Sequence, residues 1–138
     1  MEPKELSARS LQYYVIVRRW ASDLEFFKIE TAFFRRLLEG SFVRLSNKDH
    51  TTNLDKIEKS LLKFEDNKSM VAKMLAEQMK SLERAAKDDV PEDIEQLAWK
   101  QVNLEYLMSN LTREFQSAKR DVFALVDEIM EEQKIILG

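Results

Sequence analysis

An apolar or near-apolar residue returns at alternating intervals of three and four through Leu54, Ile57, Leu61, Phe64, Lys68, Val71, Leu75, Gln78, Leu82 and Ala85. A mean interval of 3.5 holds one stripe on one side of an α-helix, whereas a half-buried strand repeats every two residues. The spacing recurs through Ile94, Leu97, Gln101, Leu104, Met108, Leu111, Phe115, Ala118, Val122, Leu125 and Ile129. A third stripe runs through Tyr13, Val17, Trp20, Leu24, Phe27, Thr31, Phe34, Leu38, Phe42 and Leu45. Turn formers are scarce to match: two glycines and two prolines in 138 residues, where average usage is roughly 12% for the two together. A sheet of this size needs a turn every ~8–12 residues. The pattern therefore predicts an all-α chain of long amphipathic helices, and 44% hydrophobic residues suffice for a core.

Turn signals gather at 46–53 and 87–91, which sets the helices at 5–46, 53–87 and 91–136 within a single domain, residues 1–138. Thr52 with Asp55 reads as a variant capping box at the second helix, and Asp89, Pro91 and Glu92 read as N-cap, early-turn proline and N3 acid for the third. Short connections make consecutive helices antiparallel neighbours, so the expected fold is an up-down-up three-helix bundle, supercoiled to the left by its 3.5-residue period. Gly40 lies inside the first stripe and predicts either a bend or an early helix end there.

Setting Leu45 opposite Leu54 and Ala85 opposite Ile94 predicts a register. It brings Gln78 to Gln101 with Trp20 at the same level, and Lys68 to Thr31 near Leu111. These five residues form the expected buried polar layers. Buried amides must hydrogen-bond one another, and a buried ammonium must find a carboxylate such as Glu30 or Glu65 or extend its head to water. The expected role of such layers is to pin register.

Catalytic and cofactor chemistry is poorly supplied. There is no cysteine, and the one histidine, His50, reads as a solvated loop residue, which excludes di-iron Glu-x-x-His sites and a Ser-His-Asp hydrolase without a nucleophile elbow. Isolated glycines form no phosphate-cradling loop. Neither a metal nor a cofactor is expected, and the chain reads as non-enzymatic. Basic residues are interleaved with acidic ones, and residues 88–138 carry five basic against twelve acidic side chains, so nucleic acid is not an expected partner. No window approaches ~18 apolar residues and the first residues resemble no secretory signal, which predicts a cytoplasmic protein without a membrane span. The three-helix layout is similar to spectrin-like repeats in architecture alone; Trp20 and a heptad pattern are too widely shared to carry that family's function.

The first helix departs from simple amphipathicity. Val15, Phe26, Ile29, Phe33 and Leu37 fall together on the side opposite its seam, and Trp99, Val102 and Tyr106 form a smaller away-facing cluster on the third helix. Such a patch predicts protein–protein contact. A homodimer in which first helices pack together is the leading expectation, with Arg19, Arg35, Arg36, Glu25 and Glu39 pairing at its rim. A helical segment of another protein is a second occupant, and a third reading makes these residues ordinary core, covered by a shifted third helix or by the chain folding back beyond Gly40. The alternative function is a bundle that binds a small hydrophobic ligand or lipid among Phe27, Phe34 and Phe64.

Overall fold

The computed structural model describes residues 7–42, 48–87, 91 and 93–137, without the side chains of 42, 48, 49 and 135–137. Three helices, α1 (Ala8–Phe42), α2 (Lys48–Ala86) and α3 (Ile94–Leu137), pack against each other as an all-α three-helix bundle, with no strand among the described residues. Contacts gather into two compact units, each with a segment of every helix: residues 1–25 with 67–111, and residues 26–66 with 112–138.

In the first unit the seams supply a core of Val17, Leu24, Val71, Leu75, Leu82, Leu97, Leu104, Met108 and Leu111, each less than a tenth exposed. Removing such a side chain from water is worth ~1.5–3 kcal/mol. The second unit is richer in rings. Phe115 lies 4.7 Å from Phe27, 5.7 Å from Phe34 and 6.0 Å from Phe64 between centroids, and Leu38, Leu54, Ile57, Leu61, Val122, Leu125 and Ile129 close the core around them.

Chain direction is read within the second unit. Phe64 meets Phe115 while His50 lies against Glu128 and Glu132, so α2 and α3 are antiparallel. Phe26 meets Phe115 and Phe34 meets Phe123, so α1 and α3 run in the same direction; Phe115 also meets both Phe27 and Phe34, so the offsets between contacting rings run from 81 to 89. The expected register set that offset at 80, just below this range.

Helix ends also correct the sequence reading. α2 begins at Lys48 rather than 53, so Thr52 and Asp55 lie inside the helix and form no capping box at its start. α3 begins at Ile94 rather than 91, and its cap is Asp93: the carboxylate Oδ1 accepts from the Gln96 amide at 3.1 Å and the carbonyl accepts from Leu97 at 3.0 Å. The expected caps Asp89 and Glu92 lie outside the described residues. Ser7 opens α1 in the same manner, its Oγ accepting from the Ser10 amide at 3.2 Å. α1 runs through Gly40 to Phe42, so Gly40 does not end it; the expected helical residues 43–46, Leu45 among them, lie outside the described residues. An N-cap acid satisfies one of the free amides of the first turn, so Asp93→Ala will lower stability by ~1 kcal/mol. A parallel shift of the urea midpoint, without a change of slope, is the expected readout.

Candidate interaction surface

α1 carries two apolar faces because its sequence returns large residues at two phases of the helical turn. In the second unit, the inward phase buries Phe27, Phe34 and Leu38. The outward phase leaves Phe26 49%, Ile29 61% and Phe33 46% exposed, with Leu37 half-buried beside them. Phe26 is held at the edge of this face: its ring lies 6.2 Å from Phe27 and stands edge-on to Phe115 at 5.8 Å. Phe123 of α3, partly exposed, packs edge-on to Phe34 at 5.9 Å. In the first unit Val15 is exposed on α1, and Trp99, Val102 and Tyr106 are exposed on α3.

Charges around the outward face of the second unit divide into bound and available groups. Arg35 is not a rim residue. Its Nε and Nη2 donate to the two carboxylate oxygens of Glu65 at 3.0 and 2.9 Å, a bidentate pair that ties α1 to α2. The hydrogen bond that Arg35 donates to Glu65, and the charges of Glu65, Glu58 and Glu39, raise the guanidinium above its ordinary value. A raised folded-state value means the guanidinium itself keeps its charge at every pH below its ordinary range and loses it only in strong alkali. Lys28, Arg36 and Glu39 remain exposed.

The first unit holds a polar layer. Gln78, fully buried, donates from Nε2 to the Leu97 carbonyl at 2.9 Å and to Gln101 Oε1 at 3.1 Å; Gln101 Nε2 donates to the Tyr13 carbonyl at 3.4 Å. Trp20, expected at this level, is half-buried, and the α1 group that the layer reaches is the Tyr13 carbonyl. Two more expectations need correction. Lys68 is half-buried, not buried, and Glu65, one of its expected partners, is engaged by Arg35. Thr31 is buried at 2% exposure, in the second unit, with no hydrogen-bond partner for Oγ1.

His50 is the residue whose setting differs most from its sequence reading. It lies in the first turn of α2, 6% exposed, with Nε2 2.9 Å from Glu132 Oε1 and Nδ1 3.7 Å from Glu128 Oε2. The polar run around it reads as loop, yet helix continues there because the ring docks on α3. Its two nitrogens face different carboxylates, and a single metal ion cannot engage both nitrogens of one ring. Among the described residues no group of three or more His, Asp or Glu side chains is placed to hold a metal, and no helix is long and apolar enough to cross a membrane.

The chain matches no protein-family model, no curated protein and no solved structure.

Two stability measurements test these polar sites. Gln78→Leu and Gln101→Leu in a double-mutant cycle will show coupling above ~0.5 kcal/mol, whereas additive effects would mean that the amides do not share a bond. Thr31→Val removes an unpaired buried hydroxyl at nearly constant shape and is expected to stabilise the protein by ~1 kcal/mol. A lower urea midpoint for the valine variant would contradict the unpaired assignment.

Proposed function

We propose that this protein is a non-enzymatic bundle that acts through protein–protein contact, and that its first partner is a second copy of itself. The observation that carries this reading is the exposure of Phe26, Ile29 and Phe33 on one side of α1, opposite a core already complete. Phenylalanine exposes ~150–250 Å² when free, so three half-covered large residues leave roughly 300 Å² of apolar side chain in water. This is about the size of the largest apolar patch that a monomer carries, and such patches are often functional. Two-fold symmetry brings a patch onto itself without requiring any other complementary surface, and dimers of this kind are the commonest soluble oligomers. Exposed Lys28, Arg36 and Glu39 give the patch the polar border that such interfaces have.

A ligand-binding bundle is the weaker reading. The ring cluster of Phe27, Phe34, Phe64 and Phe115 is packed on itself at 4.7–6.0 Å between centroids, so the aromatic residues that would line a ligand site are already one another's neighbours. Among the described residues the patch on α1 has no comparable cover.

Size-exclusion chromatography with light scattering, run over a range of protein concentrations, tests the proposal. The wild type should approach twice the chain mass as concentration rises, and Phe33→Glu should remain at the chain mass with unchanged helical circular dichroism. A wild type that stays monomeric across the series would remove the homodimer.

A further inference from the structure

We infer that the two copies meet with their α1 helices antiparallel, about a two-fold axis that passes beside Phe33. This rests on the homodimer reading and adds an orientation and a residue-level register to it.

The outward face of α1 in the second unit reads Phe26, Ile29, Phe33, Leu37 and Gly40. Its intervals are three, four, four and three. They are the same in both directions from Phe33, so reversing the helix about that residue superposes the stripe on itself. An antiparallel pair then sets Phe33 against Phe33, Ile29 against Leu37 and Phe26 against Gly40 of the second copy. The last layer is complementary in size. Gly40 is exposed, and a side-chain carbon placed on it would meet nothing within 4 Å. Phe26 is the ring most firmly held on this face, leaning on Phe27 and Phe115, with about half its surface still free. A large side chain facing a vacant glycine packs without a void and without strain.

A parallel pair fails on the same residues. It sets Phe26 against Phe26 at one end and Gly40 against Gly40 at the other, crowding the first layer and leaving the last empty. It also aligns Arg36 with Arg36 along the rim. The antiparallel pair separates those guanidinium groups by six residues of helix, ~9 Å along the axis, and covers the Ile29 side of the second copy with the arginine stem.

The size of the contact defines its strength. From Phe26 to Gly40 the stripe is ~21 Å long, and its apolar part falls short of the ~800 Å² per partner found in standard stable interfaces. The dimer is therefore weak and concentration-dependent.

The chain has no cysteine, so single labelling sites are introduced cleanly. Nitroxide labels at Glu39→Cys and at Ala32→Cys, both exposed and to one side of the stripe, report the orientation. In the antiparallel pair the labels at 39 lie twelve residues apart along the axis, ~18 Å, and give a pulsed-EPR distance of about 20–25 Å once the lateral helix separation is added. Labels at 32, close to the axis, give strong dipolar broadening. Equal label–label distances at the two sites would mean parallel helices, which keep matching residues level, and would overturn the orientation while leaving the dimer standing. No coupling at either site, with light scattering at the chain mass, would overturn the homodimer itself. Independently, Gly40→Leu fills the seat of Phe26 and should raise the dimer dissociation constant about tenfold, and an unchanged constant would overturn the Phe26–Gly40 layer.

Discussion

A seam that repeats every seven residues packs almost as well after a slip of seven, so burial of apolar surface alone does not decide how three long helices align. The choice falls to groups whose environment changes under the slip. In the first unit that group is Gln78. Its side chain is fully buried, and its amide reaches both the Leu97 carbonyl and Gln101, which in turn reaches the Tyr13 carbonyl. Moving either neighbour by a heptad would strand an amide in the core at a cost of ~1–3 kcal/mol per unsatisfied group. The second unit has a steric equivalent. Phe27, Phe34, Phe64 and Phe115 fill one another's neighbourhood, and a slip would replace rings by smaller residues and open cavities.

This degeneracy explains what could and could not be read in advance. The all-α class, the three helices and their antiparallel order follow from the period and the scarcity of turn residues, which are local properties. The offset of α1 against α3 is not local. Counting from Leu45 opposite Leu54 places Trp20 level with Gln101, where the Tyr13 carbonyl lies instead, and Leu45 itself is outside the described residues. Counting from Ala85 opposite Ile94 does lead to Gln78 and Gln101. His50 shows the same limit from another side: Lys48, Asp49, His50, Thr51 and Thr52 resemble a loop in composition, and only the docking of the ring against Glu128 and Glu132 carries the helix through them. Tertiary contact overrides weak local preference most readily at helix ends.

The candidate surface was legible in a way the register was not, because it depends only on the phase of residues around one helix. Phe26, Ile29 and Phe33 share a phase opposite to that of Phe27, Phe34 and Leu38, and no slip of α1 along its neighbours changes that. What the sequence could not reveal is which charged residues beside the surface are free. Arg35 and Arg36 are adjacent and chemically identical, yet Arg35 turns to α2 and makes both bonds to Glu65, while Arg36 stays in solvent. The bidentate pair therefore has a second consequence besides joining two helices: it fixes the rotation of α1 about its own axis, and so the direction in which its outer face looks.

That coupling bears on how the surface relates to stability. A helix with apolar residues on two faces has two ways to bury them, and without a directional contact the alternatives differ by the few kcal/mol that separate one set of large side chains from another. The outward set, Phe26, Ile29 and Phe33, is not smaller than the inward set, Phe27, Phe34 and Leu38. Thr31, on the inward phase, even weakens it by burying an unpaired hydroxyl. The inward set prevails because Phe115 and Phe64 supply ring partners for it and because Arg35 reaches Glu65 only in that rotation. The proposed dimer requires the same rotation, and a partner that binds only this state would add to its stability as concentration rises. Packing within the chain favours the one setting of α1 that turns the outward set to solvent, and the Arg35–Glu65 pair holds it there.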